Sequence, residues 1–170
     1  DLALPKKTTH ALRPMVEADV PQVTVMLNTY LLTLKLAQYF SEDEVRHLML
    51  PQAGVMCSYV LADKAGKLTD FCSFYHLPST IMQSQKHKIL NAVYSYYNVA
   101  TSVPFIELMR DMLTLAEQQG ADVMNALDLM CNEPVFEPLK FGKGDGNLHY
   151  YTYNWKCAEV AAGEVGLVLV

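Results

Sequence analysis

Three apolar, β-prone runs follow one another closely in the middle of the chain, and they limit the fold more than any other feature. Met56 to Ala62 is the first, Leu68 to Leu77 the second and Ile89 to Ala100 the third. The first two are joined by Asp63-Lys64-Ala65-Gly66, a hairpin turn with glycine near the position that needs positive φ. Pro78 ends or bends the second run, because proline has no N–H to give to a ladder. In the third, Val93, Ser95, Tyr97 and Val99 share one face, and Tyr94, Tyr96 and Asn98 share the other.

Helical spacing brackets these strands. Residues 1–14 are a polar leading arm with Pro5 and Pro14. Asp19 is an N-cap followed by the first-turn proline Pro21. From there Val20, Val23, Met26, Leu27, Tyr30, Leu31 and Leu34 recur at helical spacing. Ser41 and Glu44 form a capping box that opens a second helix to about Leu50, which Pro51 stops. Phe105 to Gln119 is the clearest helix, with Ile106, Met109, Met112, Leu113 and Ala116 in one stripe and Gly120 as its stop. Beyond it come a short buried strand (Ala121 to Ala126), a helical or irregular crossover (Leu127 to Leu139), an aromatic strand (Leu148 to Lys156) and a last strand (Val165 to Val170). This order predicts an α+β fold with helices packed on a mixed sheet.

At 170 residues and 51% hydrophobic, the chain fits one domain with a real core. Charged residues make up 18%, which predicts an apolar face turned toward a partner. A net charge of −5 offers no basic stripe and excludes nucleic acid as a partner. Cys57, Cys72, Cys131 and Cys157 form no CxxC pair and read as reduced, cytoplasmic thiols. The five histidines lack HxxxH or HxH spacing, so no metal site is expected. No run of 18 apolar residues predicts a transmembrane segment. The chain opens on Asp1 without a signal sequence, and reads as a mature product or as part of something longer.

Two segments point to chemistry. Lys140-Phe141-Gly142-Lys143-Gly144-Asp145-Gly146 is a glycine-rich loop that permits positive φ and close backbone approach to a ligand. Successive N–H groups in such a loop can form a nest for an anion or a polar side chain. A plain β-turn is the competing reading, and the loop is no Walker A because Gly-Lys-Ser/Thr does not follow. The ending Gly166-Leu167-Val168-Leu169-Val170 is apolar and uncharged where chain ends are usually polar. A buried terminal strand would carry the α-carboxylate of Val170 inward, and a buried anion needs a partner or a job.

The string KFGKGDG resembles the KFGxGDG signature of the glycylpeptide N-tetradecanoyltransferase, or N-myristoyltransferase, family. Asp70 to Met82 (DFCSFYHLPSTIM), Ala92 to Val99 (AVYSYYNV), Asn125 to Met130 (NALDLM), Asn147 to Cys157 (NLHYYTYNWKC) and the GLVL ending are similar to family segments too. These likenesses are collinear from about Leu12 to Val170. The resemblance implies a GNAT-like (acyl-CoA N-acyltransferase) fold, one of two pseudo-symmetric halves, with residues 1–170 as the C-terminal, peptide-binding half. The other half, marked by an EINFLC-type signature that this chain lacks, would bind most of the co-substrate myristoyl-CoA. That half is the implied partner, without which the chain is expected to be inactive. No cofactor beyond the co-substrate is implied.

The implied reaction moves a myristoyl group from CoA to the N-terminal glycine amine of a protein. An α-amine has a pKa of about 7.7–8.0, so a base must take its proton before it attacks the thioester. The resemblance gives that role to the C-terminal carboxylate, here on Val170. A carboxylate at its free pKa of about 3.3–3.7 is a poor base, and burial would raise it. The resemblance places Gly144, Asp145 and Gly146 against the substrate peptide, and Ser79, Leu90, Tyr94, Asn125, Leu148 and Leu169 along its groove. For each, ordinary packing is the competing reading. His76 is given no role, and Tyr150, Tyr151, Tyr153 and Trp155 read as core or interdomain packing. The alternative function is a non-catalytic module that grips glycine-started N-termini. A generic acetyltransferase acting alone lacks its CoA loop.

Overall fold

The computed structural model describes residues 2–82 and 88–169. Its centre is a five-stranded mixed sheet in the order β1-β3-β4-β7-β8, formed by Arg13–Pro14, Met56–Ala62, Leu68–His76, Ala92–Ala100 and Val123–Asn125. All neighbours are antiparallel except β7 and β8, which run parallel. Two small ladders sit beside it: β5 (Ser79–Thr80) with β6 (Ile89–Leu90), and β2 (Leu36–Ala37) in parallel with β9 (Val165–Gly166).

Helices cover both faces. On one, α1 (Val20–Leu31) and α2 (Glu42–Met49) pack with Val60, Phe71, Tyr96, Tyr97 and Val99 of the sheet. Val20, Val23, Leu27 and Leu31 of α1 are buried, each worth about 1.5–3 kcal/mol of transfer. Asn28 holds the chain after β2 by giving its amide to the Phe40 carbonyl at 2.7 Å and accepting the Phe40 N–H at 2.9 Å. On the other face α3 (Phe105–Gln118) and α4 (Glu133–Phe136) cover Tyr59, Cys72, Phe74 and Val93. Asp111 of α3 is buried and accepts the N–H groups of Thr9 and His10, which clasps the leading arm to this face.

The local signals hold where they are strongest. Ser41 Oγ accepts the Glu44 N–H while the Glu44 carboxylate accepts the Ser41 N–H, so the capping box is complete. Gly66 and Gly120 carry φ of +82° and +81°, in the hairpin turn and after α3. Asp19 precedes α1 as expected, but its carboxylate turns back to Arg13 and the Val16 N–H instead of capping. Asp70 sits buried below the turn into α3. Burial pushes its carboxyl up, but hydrogen bonds from Ser102 and Thr69 outweigh this and hold it below the usual carboxylate range.

Several strands differ from expectation. The third β-run is broken at Asn91, whose N–H and C=O both pair with Asp122, so β6 and β7 belong to different ladders. The faces of β7 also change midway. Between partners Cys72 and Phe74 of β4, β7 spends three steps, from Asn98 to Ser95, where β4 spends two. This bulge puts Tyr96 and Tyr97 together on the α1 face, whereas strict alternation would send Tyr97 to the α3 side. Ser73 and Asn98 satisfy the backbone groups it frees: Ser73 Oγ donates to the Tyr97 carbonyl and accepts its N–H, and Asn98 Oδ1 accepts the Ser73 N–H. The strand after α3 is three residues long and only half covered, because β8 is a sheet edge. Leu148 to Lys156 forms no strand. Among the described residues, no helix is long and apolar enough to cross a membrane.

Candidate functional site

Residues 165–169 are fixed to the body of the protein, although just two of them form a strand. Lys35 N–H donates to the Glu164 carbonyl at 3.0 Å, and its ammonium meets the Glu164 carboxylate at 2.6 Å. β9 then runs along β2, and Gly166 lies so close to α1 that an added Cβ would come within 2.5 Å of Leu34 and 2.8 Å of Leu31. Glycine is needed here for room, not for an unusual backbone angle.

Beyond Gly166 the backbone is held by tyrosine hydroxyls. Tyr97 donates to the Gly166 carbonyl at 3.2 Å and accepts the Val168 N–H at 3.1 Å. Tyr150 donates to the Leu167 carbonyl. Tyr75 reaches the Leu169 carbonyl at 3.5 Å, a long bond. Burial pushes all three phenols up, so they stay protonated and able to donate. Val168 is buried and Leu169 is exposed. Val170, the expected carrier of the basic carboxylate, lies outside the described residues.

Four of the residues expected along a groove fall into two groups in register. Tyr94 of β7 is the cross-strand partner of Tyr75 on one side and of Asn125 on the other. Tyr75 and Tyr94 stack with ring centroids 5.4 Å apart. Tyr75 therefore touches both the expected groove residue Tyr94 and the carbonyl of Leu169. Ser79 and Leu90 face each other across the β5–β6 ladder, Ser79 exposed and Leu90 half-buried.

The glycine loop belongs to a different place. Asn125, Gly144, Gly146 and Leu148 line one open cleft of about 1610 Å³, whose wall also includes Tyr150 and Val165. Asn125 thus joins the Tyr75–Tyr94 row to the cleft. Ser79, Leu90, Tyr94, Asp145 and Leu169 are not in its wall. None of Gly142, Gly144 and Gly146 takes positive φ, and a Cβ on any of them would meet nothing within 4 Å; Lys140 adopts φ +57° in their stead. The aromatic segment that follows is bare: Tyr151 is 87% exposed, Tyr153 97% and Trp155 62%. Of its tyrosines, Tyr150 alone packs against the core under α1.

Sequence reasoning missed Tyr75, Tyr97 and the role of Tyr150. All three lie in quoted motifs (SFY, YSYYNV and HYYTY), yet a hydroxyl's partner 17 to 94 residues away leaves no local mark. Among the described residues, no group of three or more His, Cys, Asp or Glu side chains gathers to hold a metal ion.

Comparison with known proteins fits this architecture. The family description "Myristoyl-CoA:protein N-myristoyltransferase, C-terminal domain" matches residues 1–166. The probable glycylpeptide N-tetradecanoyltransferase of Caenorhabditis elegans is 53% identical over 168 residues, 98% of this chain and 37% of that protein. Glycylpeptide N-tetradecanoyltransferase 2 of Bos taurus is 50% identical over 167 residues, 98% of this chain and 34% of its own length. The chain thus spans about a third of the length of these curated relatives. Among solved structures, Saccharomyces cerevisiae N-myristoyltransferase with bound myristoyl-CoA superposes with a TM-score of 0.78 at 36% identity, over 85% of this chain and 40% of that one. A ribosomal-protein-alanine N-acetyltransferase from Brucella melitensis shares the fold at a TM-score of 0.59 and 13% identity. The chain belongs to the myristoyl-CoA:protein N-myristoyltransferase family and carries its C-terminal domain, built on the acetyltransferase-like fold.

Proposed function

We propose that residues 1–170 are the peptide-binding half of an N-myristoyltransferase, acting with an N-terminal half that holds myristoyl-CoA. The substrate's glycine nitrogen attacks the thioester carbonyl, its proton passes to the carboxylate at Val170, and the CoA thiolate leaves and is protonated. Tyr94, Asn125, Ser79 and Leu90 flank the start of the peptide. Gly144, Asp145, Gly146 and Leu148 take its later residues across the cleft. The thiols of Cys57, Cys72, Cys131 and Cys157 are unpaired, which suits a cytoplasmic setting.

The observation that carries this reading is Tyr75. Its ring stacks on Tyr94 and its hydroxyl meets the Leu169 carbonyl, which supports reading Leu169 as lying beside the proposed start of the groove.

The test is acyl transfer from myristoyl-CoA to a glycine-started octapeptide by the complete enzyme, by this chain, and by this chain mixed with the other half. Turnover is expected in the first and third. Adding one residue after Val170, or removing the last two, should abolish it. Full turnover by the extended enzyme would sink the assignment of the base. Peptide binding by this chain without turnover in any mixture would favour a non-catalytic binding module.

A further inference from the structure

Among the described residues beyond Gly166 no strand pairing holds the tail, yet three hydroxyls from three separate segments converge on it. Tyr75 comes from β4, Tyr97 from β7 and Tyr150 from the stretch after the glycine loop. They engage Gly166, Leu167, Val168 and Leu169 in succession, and each bond goes to a main-chain carbonyl or N–H. Side chains are read unevenly: Gly166 and Val168 are buried, Leu167 is half-buried and Leu169 exposed. Gly166 and Val168 are fixed by packing, whereas at Leu167 and Leu169 the hydroxyls fix where the main chain goes without demanding a particular side chain. That suits a tail whose working group is a main-chain carboxylate. Tyr97 makes two of the contacts, and it reaches them because the bulge in β7 turns it to the α1 face.

We propose that Tyr97, with Tyr150 and Tyr75, is a positioning latch that sets the tail's main chain for acyl transfer, and that the Ser73–Asn98 bulge exists to aim Tyr97. This rests on the reading of the tail as the carrier of the base. Tyr97 lies outside the wall of the cleft read as taking the peptide, whereas Tyr150 is part of that wall. Loss of the Tyr97 hydroxyl should slow the chemical step and leave the KM for peptide within about twofold, as expected when an interaction made only in the transition state weakens. A misplacement of about 1 Å can cost a chemical step roughly a hundredfold.

The experiment is made on the complete enzyme, with Tyr97→Phe, Tyr150→Phe and Tyr75→Phe. Two quantities are read: exchange of the Val168 amide, and the single-turnover rate constant with myristoyl-CoA prebound and peptide saturating. A lowered folded fraction changes the amplitude of a single turnover but not its rate constant. Tyr97→Phe should speed Val168 exchange at least about tenfold and slow the single-turnover step about 10- to 100-fold. Tyr150→Phe and Tyr75→Phe, near the surface and with one bond each, should act the same way but more weakly, and they keep the test open if Tyr97→Phe folds poorly. Unchanged exchange in all three variants overturns the latch. Faster exchange with an unchanged single-turnover rate overturns its role in positioning. The base assignment is judged separately, by the enzyme extended past Val170.

Discussion

Two segments of this chain look alike as sequences and behave differently as structures. Leu148 to Lys156, rich in aromatic residues, and Val165 to Val170, apolar, each read as a strand. The second is tied to the body from Glu164 to Leu169. The first, apart from Tyr150, stands in solvent with Tyr151, Tyr153 and Trp155 exposed. The difference is partners. The tail meets β2, the end of α1 and three hydroxyls, whereas the aromatic segment pairs with no strand among the described residues. β-propensity measures fitness for a pleated, half-buried surface, and it cannot supply that surface.

This contrast can be broken from the tail side first. Gly166→Val would drive methyl groups into Leu31 and Leu34, and overpacking of this kind should cost about 3 kcal/mol. Thermal unfolding should show a drop of several degrees; an unchanged midpoint would mean that the tail is not seated there. Tyr97→Phe should cost about 2 kcal/mol, because it leaves the Gly166 carbonyl and the Val168 N–H without their partner. A denaturant midpoint equal to that of the parent protein would show those groups reaching water.

A third effect is smaller and depends on pH. Burial raises the phenols of Tyr75, Tyr96, Tyr97 and Tyr150 above their unfolded value, which is about 10. A raised pKa contributes stability that is fully present below the unfolded value and is lost as pH rises through the folded one. The urea midpoint should therefore fall as pH climbs past about 10, and Tyr97→Phe should make that fall shallower. Parallel curves for the two proteins would remove Tyr97 from the account. The smallest effect belongs to the loop. Gly144→Ala and Gly146→Ala meet open space, so stability should move by no more than about 0.5 kcal/mol. Peptide KM in the complete enzyme should nonetheless rise, and a loop change that altered melting but not KM would reverse the contrast.

Features that depend on a few adjacent residues were legible in the sequence. The Ser41–Glu44 capping box, the Asp63–Gly66 turn, the stop at Gly120 and the limits of β3 all follow from local chemistry. So did the family, because KFGKGDG and the motifs around it are long strings in one order. What was hidden depends on distant partners. The break at Asn91 needs Asp122, 31 residues on. The bulge depends on how β4 and β7 align, which no periodicity within either strand reveals. The sequence offered candidate site residues but not their arrangement. Asn125 pairs with Tyr94 across the sheet and lines the cleft with Gly144 and Gly146, while of the tyrosines that hold the tail Tyr150 reads by sequence as core or interdomain packing and Tyr75 and Tyr97 receive no role.

The bulge also makes the centre of the sheet a matter of parity. Val93 and Val99 both carry odd numbers, yet Val93 packs under α3 and Val99 under α1. A strand that switches sides midway contains one residue too many for simple counting. Removing a single residue between Ser95 and Asn98 would restore the count, and everything on one side of the cut would face the wrong way. Most domains tolerate a one-residue change of length in their loops; this one has a position in mid-sheet where length itself is fixed, and where a deletion would undo the seating of a tail about 70 residues further along the chain.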